Sequence, residues 1–495
     1  MVVARDKRVR WLVCGLLAAL ALSAPSFGQS LERKIQNALS QARLGSAHVG
    51  VSVFDVESRT ELVSIETGGR SGEKGFIPAS NLKLLTSGAA LCALGKDYEL
   101  RTTFLQDGER LIIRGTGDPG LADPELLEKM NTGLDTILDR LVGLCKEAGG
   151  KGIREIVLDD RVFDREYVHP DWPREQLHQT YCAEVSGLNF HGNLLNVYVS
   201  PARSQPEAPW LVIKRATRAV KEGDTKLRLD RDQNAPYTFK LSGTVRHAPD
   251  YPVQVTVHEA SMFLGKLIAD RVVRDGLGAP GVTASSMEVR LIRPEEPVID
   301  GPNVKTLTTV RTPIAVTLER CNVDSDNLYA ESLCKLAGHH ATGQPGSWSN
   351  GTAVVRMQIQ QRLGSVYAQQ VILADGSGLS RNNRVTPGVV TRWLASLASD
   401  PALGDMFVQS LAEIGEGTLK KRFAKAKLSG MCEVRGKSGY IREVRALSGY
   451  VTHKSSGRRL AYSILVNEIP AGADGKSKEF HEDVVEILDG YLAAM

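Results

Sequence analysis

Strand-like segments stand at both ends of the chain, which ties any fold to a sheet that gathers the two termini. Residues 48–54 and 61–65 largely alternate apolar with polar or small side chains around the turn Glu57-Ser58-Arg59, the period of a half-buried β-hairpin. Residues 446–452 and 460–466 form a second hairpin around Lys454-Ser455-Ser456-Gly457. Between them lie helix-periodic stretches. Residues 80–94 are apolar at helical spacing with small residues throughout, so they read as a buried helix with Ser80 in its first turn. Near the C-terminus Phe480, Val484, Ile487, Leu488 and Tyr491 share one helical face. Two terminal hairpins and a helix-rich middle predict one sheet closed by both termini.

A chain of 495 residues exceeds what one hydrophobic core supports, so more than one domain is expected. Residues from about 100 to 305 differ from their flanks. Strand-like runs at 111–114, 153–158 and 194–199 mix with a helical run at 134–147, and Pro-rich stretches at 201–209 and 294–302 punctuate them. This stretch reads as an insertion that folds on its own.

Arg5, Lys7, Arg8 and Arg10 precede an almost wholly apolar run at 11–22, and small residues follow, ending Ser26-Phe27-Gly28. This is the layout of a secretory signal peptide over residues 1–28, which predicts a periplasmic mature protein. Cys14 lies too early in the apolar run to mark a lipid anchor. No later run is long enough to span a bilayer, so membrane contact would be at most peripheral. The net charge is +4; the first 28 residues hold four Lys/Arg and one Asp, leaving +1 for the rest. That balance offers no electrostatic case for nucleic acid. Six cysteines remain, Cys92, Cys145, Cys182, Cys321, Cys334 and Cys432. An even number in an exported chain permits disulfides. None forms a C-x-x-C, and neither a metal nor a cofactor is expected.

Three short motifs carry candidate chemistry. In Ser80-Asn81-Leu82-Lys83 the serine and lysine lie three apart, on one helix face. Burial of that face would lower the lysine pKa and let a neutral amine take the serine proton. Ser325-Asp326-Asn327 precedes an apparent helix at 328–338; its serine can relay a proton and its asparagine can hold a substrate amide. Lys437-Ser438-Gly439 enters the C-terminal hairpin. On an edge strand its lysine and hydroxyl can grip a carboxylate, and Gly439 lets a substrate backbone approach. Each motif alone is commonplace.

In this order the three form the signature shared by penicillin-binding proteins and class A β-lactamases. The chain resembles the class C low-molecular-mass penicillin-binding proteins, the D-alanyl-D-alanine carboxypeptidase/endopeptidase family. Further similar segments are Arg114-Gly115-Thr116-Gly117-Asp118-Pro119, Tyr181-Cys182-Ala183, Asp375-Gly376-Ser377-Gly378-Leu379-Ser380-Arg381 and Gly415-Glu416-Gly417-Thr418-Leu419. Ser80 and Ser325 stand 245 positions apart, a gap that matches the family's nested extra domains and is far longer than in a class A β-lactamase. The resemblance implies an α/β fold, a transpeptidase-like antiparallel sheet flanked by helices and split by a large insertion with a second domain nested in it. The boundaries drawn are residues 29–98 and 306–495 for the catalytic domain, 99–200 and 256–305 for the inserted domain, and 201–255 for the nested one.

The resemblance also implies roles. Ser80 attacks the penultimate D-alanine carbonyl and Lys83 is the general base. Ser325 passes the proton to the leaving amine, and Asn327 binds the substrate backbone. Lys437 and Ser438 bind the terminal carboxylate, and the N–H groups of Ser80 and Tyr440 form the oxyanion hole. Partners would be peptidoglycan peptides and β-lactams, with a homo-oligomer left open. Three positions depart from the family. Ser438 stands where threonine is frequent and retains the hydroxyl. Tyr440 replaces a small hydroxyl residue and narrows the cleft. Gln176 stands near where some members place an aspartate for a diaminopimelate ammonium, with Glu175 as a substitute. A β-lactamase- or esterase-like hydrolase and a non-catalytic envelope scaffold are the rival readings.

Two features weigh less. Gly115-x-Gly117-x-x-Gly120 fits a dinucleotide fingerprint formally, but Pro119 and the late start of the next helix argue against it. Lys420, Lys421, Arg422, Lys425 and Lys427 crowd what reads as a short, solvated helix.

Overall fold

The computed structural model describes residues 26–68, 75–200, 202–232 and 234–495. The export signal read at 1–28 lies outside them except for its last three residues. Helix α1 (Ser26–Ala42) leads into the antiparallel hairpin β1 (His48–Asp55) and β2 (Thr60–Thr67). A 3₁₀ turn, Ala79–Asn81, then opens α2 (Leu82–Leu94). Small residues along α2 (Ser87, Gly88, Ala89, Ala90) let it sit buried among other helices. A Cβ on Gly88 would meet Leu397 and Trp393 at 2.6 and 3.0 Å.

The chain next builds the insertion. Its strands are β3 (Glu99–Asp107), β4 (Arg110–Gly115), β5 (Glu155–Asp159), β6 (Leu194–Tyr198), β7 (Arg203–Gln205), β8 (Val212–Ala219), β9 (Lys226–Arg231), β10 (Thr238–Val245), β11 (Val253–Thr256), β12 (Glu288–Leu291) and β13 (Lys305–Pro313). They form a five-stranded sheet β12-β5-β4-β3-β13 and two three-stranded sheets, β11-β6-β7 and β8-β10-β9. Helices α3 (Leu134–Glu147) and α4 (Ala260–Arg274) pack on the larger sheet. Strand β13 pairs with β3 up to Pro313, so the chain remains in the insertion's sheet past residue 306. The lines drawn at 200/201 and 255/256 cross the sheet β11-β6-β7. The β8-β10-β9 sheet contributes Leu229, Phe239 and Leu241 to the same apolar cluster as Phe104, Leu138 and Phe263.

Helices α5 (Ile314–Asn322), α6 (Asn327–Thr342), α7 (Trp348–Leu363) and α8 (Pro387–Ala398) follow. Strands β14 (Ala412–Glu413), β15 (Cys432–Ile441), β16 (Val444–His453) and β17 (Arg459–Asn467), then helix α9 (Asp474–Ala493), end the chain. The main sheet is antiparallel, in the order β14-β15-β16-β17-β1-β2. Both termini thus meet in it, as the two hairpins predict. Helices α2, α6, α7 and α8 bury one face around Leu85, Tyr329, Trp393 and Tyr450. Helices α1 and α9 cover the other around Ile35, Ile464 and Phe480. With layers on both faces, β17 is buried almost throughout rather than alternating.

One expectation is corrected. The basic run at 420–427 is not a helix; the 3₁₀ turn Gly417–Leu419 precedes it and the rest is irregular. Arg422 turns inward to an ion pair with Glu482 of α9, and Phe423 adopts a left-handed φ of 63°. Among the described residues the six cysteines, Cys92 to Cys432, are free thiols.

Candidate active site

Ser80 sits in the 3₁₀ turn ahead of α2, and Ala79 before it has φ 46°. A non-glycine residue in the left-handed region stores strain, a feature that clusters at functional sites. Ser325 repeats it with φ 65°. Lys83 lies on the first turn of α2, with its side chain wholly buried. Its Nζ donates to Ser80 Oγ at 3.1 Å, to Asn327 Oδ1 at 2.6 Å and to the carbonyl of Ser377 at 2.9 Å. Asn327, at the start of α6, donates through Nδ2 to the carbonyl of Tyr181 from the insertion, at 2.8 Å.

Lys437 on β15 is also fully buried. Its Nζ donates to Ser325 Oγ at 2.8 Å and to the carbonyl of Ser438 at 2.6 Å. The three motifs therefore meet in one cleft, and two lysines share it. Burial pushes the Lys83 amine below its ordinary range. Burial, and then the charge of Lys83, push Lys437 well below it.

Strand β15 lies directly against the turn that carries Ser80. A Cβ on Gly439 would stand 3.0 Å from both Pro78 O and Ser80 N. Strand β14 pairs only with Arg435 and Gly436, so residues 437–441 form an open edge of the sheet. Ser438 and Tyr440 alternate with buried Lys437 and Gly439. Tyr440 is 59% exposed, and the Arg445 guanidinium lies 4.6 Å from its ring centroid. Its ring therefore stands at the rim of the cleft. A cavity of about 310 Å³ opens beside Ser325 and Asn327 and is also lined by Asp123, Thr180, Tyr181 and Arg320. Gln176 accepts a hydrogen bond from Tyr181 Oη at 3.0 Å. Among the described residues no group of three or more His, Cys, Asp or Glu is placed to hold a metal ion.

Two contributors escaped the sequence reading. In the amide orientation that satisfies its surroundings, Asn81 donates to Lys437 O at 2.8 Å and accepts from Ser448 Oγ at 2.6 Å. It ties the helix of one motif to the strand of another, and its place inside the S-x-x-K tetrad was the available signal. The Ser377 carbonyl acts through backbone, so no residue type announced it.

Chemically, a serine that follows a strained residue and stands beside a buried amine can be deprotonated for attack, while a second buried lysine can take up an anionic group. Together with the transpeptidase-like fold, the family match and the curated relatives make the protein a serine hydrolase. It belongs to the D-Ala-D-Ala carboxypeptidase 3 (S13) family, which matches residues 31–489. The chain is similar to the D-alanyl-D-alanine carboxypeptidase of an Actinomadura species, at 29% identity over 92% of this chain and 84% of that one. It is also similar to D-alanyl-D-alanine carboxypeptidase DacB of Haemophilus influenzae, at 24% identity over 84% and 85%. Among solved structures, penicillin-binding protein 4 of Haemophilus influenzae has the same fold, with a TM-score of 0.68 and 21% identity over 93% of this chain and 98% of that one.

Proposed function

We propose that this protein hydrolyses D-alanyl-D-alanine peptides of peptidoglycan through an acyl-enzyme on Ser80, as a carboxypeptidase and DD-endopeptidase, and that β-lactams inhibit it by acylating the same serine. One observation carries the reading: Lys83 Nζ reaches Ser80 Oγ and Asn327 Oδ1 at once, at 3.1 and 2.6 Å, from a buried position.

The reaction runs in two halves. The substrate lies along the open edge of β15, with its terminal carboxylate at Lys437 and Ser438. That carboxylate favours the ammonium on Lys437, and like-charge repulsion then favours a neutral amine on Lys83. Ser80 Oγ attacks the penultimate carbonyl while its proton passes to Lys83. The N–H groups of Ser80 and Tyr440 hold the oxyanion. The C–N bond breaks as the leaving amine takes a proton through Ser325, which Lys437 holds in place. Water then attacks the ester with Lys83 again as base, releasing the acid and restoring Ser80. Asn327 holds the substrate backbone, and Gly439 leaves room for its approach.

The signal read at 1–28 supports export to the periplasm. The sheets support a catalytic unit split by an insertion, with the chain returning to it after β13. The test is incubation with a labelled penicillin, followed by peptide mapping. A stable adduct on Ser80 is expected. Ser80→Ala should lose the adduct and slow peptide hydrolysis by about 10,000-fold. Unchanged hydrolysis in that variant would overturn the reading, and rapid penicillin turnover without an adduct would favour a β-lactamase-like hydrolase.

A further inference from the structure

A neutral lysine amine has two N–H bonds and one lone pair. To act as a base toward Ser80 it must spend both N–H bonds elsewhere, so that the lone pair faces the serine hydroxyl. Lys83 has two acceptors besides Ser80 Oγ: Asn327 Oδ1 at 2.6 Å and the Ser377 carbonyl at 2.9 Å. Asn327 belongs to a recognised motif. The Ser377 carbonyl is a backbone group on a loop, and something must hold that loop in register.

Glu331 does so. Its side chain is wholly buried. Oε1 accepts from the N–H of Ser377 at 2.8 Å, and Oε2 accepts from the N–H of Gly376 at 2.7 Å and from Trp348 Nε1 at 2.8 Å. Glu331 stands four residues after Asn327 on α6, on the same helix face. One helix thus delivers both acceptors, the first directly and the second through a carboxylate gripping the loop. Lys335, four residues further on, continues that face. Its Nζ lies 3.8 Å from the Trp348 ring centroid and donates to Asp164 Oδ1 at 2.6 Å in the insertion. The insertion grips the loop a second time, where Trp172 Nε1 donates to Asp375 Oδ2 at 3.1 Å.

We propose that Glu331 is a positioning residue for the base. It fixes the Gly376/Ser377 peptide so that the Ser377 carbonyl takes one N–H of the neutral Lys83 amine, Asn327 takes the other, and the lone pair is left facing Ser80. Burial and the neighbouring Asp375 push the Glu331 carboxyl up to about 7, against the pull of its three N–H donors. This rests on Lys83 being the base, as proposed above.

The test compares Glu331→Gln and Glu331→Asp with wild type in penicillin acylation and peptide hydrolysis. A carboxamide cannot accept from all three donors, because one of its ends is itself a donor. An aspartate is too short to span both backbone N–H groups. Both variants should still be labelled on Ser80, with kcat lowered about 10- to 100-fold and KM little changed. The Glu331 charge raises the Lys83 pKa, so Glu331→Gln should also move the acid limb of the rate profile to lower pH. A slower enzyme with a more readily deprotonated base is the signature of lost positioning. Wild-type kcat in both folded variants overturns the inference, as does a rise in KM that accounts for the whole loss. If Glu331→Gln does not fold, Trp348→Phe removes one donor and leaves the carboxylate. It should lower kcat about 3- to 10-fold, and unchanged kcat there overturns the inference. Failure of wild type itself to be labelled on Ser80 would instead sink the reading beneath.

Discussion

Lys83 must be neutral to accept a proton, yet an exposed lysine is almost wholly charged at neutral pH. Burial resolves this by pushing its pKa down from 10.5. The sign for activity follows. Below the folded pKa Lys83 is an ammonium and cannot act as base, so the penicillin acylation rate should fall about tenfold per pH unit on the acid side. Lys83→Met should remove acylation while leaving the fold intact, since it replaces a buried amine with an apolar chain of similar length. Stopped-flow or mass-spectrometric acylation rates across a pH series would check both; a flat profile would contradict the role. At this scale the sequence was most legible where a role belongs to a side chain in a short motif. Ser80, Lys83, Ser325, Asn327 and Lys437 converge. The Ser377 carbonyl and Glu331 were not legible, because one acts through backbone and the other is an ordinary helical glutamate until the fold buries it.

Strand β15 and the 3₁₀ turn Ala79–Asn81 are held as one surface by Asn81 and by the absence of a side chain at Gly439. Gly439→Ala would place a methyl 3.0 Å from two backbone atoms, Pro78 O and Ser80 N, neither of which can rotate away. The strand must then withdraw from the nucleophile. A shift of even a fraction of an ångström there should slow acylation by about 100-fold. The variant's circular dichroism spectrum should stay wild-type, and an unaltered acylation rate would refute the contact. Periodicity foretold the hairpins and α6 because a regular element repeats its signal. It failed at 420–427, where five basic residues in eight positions read as a solvated helix. Arg422 instead spends its charge on Glu482 beneath the surface, a partner 60 positions away that no local pattern reveals.

Both termini close the main sheet, and this was legible because each supplies a hairpin whose pattern survives without its partner. The interior of the insertion was less so. Its small β8-β10-β9 sheet shares a core with its neighbours, and a shared core leaves no mark at a boundary. The outer face of the sheet holds another unread feature. His481 on α9 is fully buried, and among the described residues neither ring nitrogen has a hydrogen-bond partner; Tyr462 Oη also lacks one there. Burial, then the charges of Arg422 and Arg445, push its pKa well below 6.5. The unfolded chain therefore binds a proton near that value and the folded chain does not. Where the unfolded state holds more protons, stability rises with pH. This group's contribution is thus fully present above 6.5 and is lost as pH falls, by at most about 1.4 kcal/mol per pH unit. His481→Phe removes the titrating ring without breaking a hydrogen bond, so it should be near neutral in stability at pH ~7.5. It should flatten the loss of Tm between about pH 7.5 and 5. Thermal melts of both proteins across that range decide the matter. Parallel acid losses would place the sensitive group elsewhere, whereas a flattened variant curve would make one buried imidazole the acid limit of the catalytic sheet.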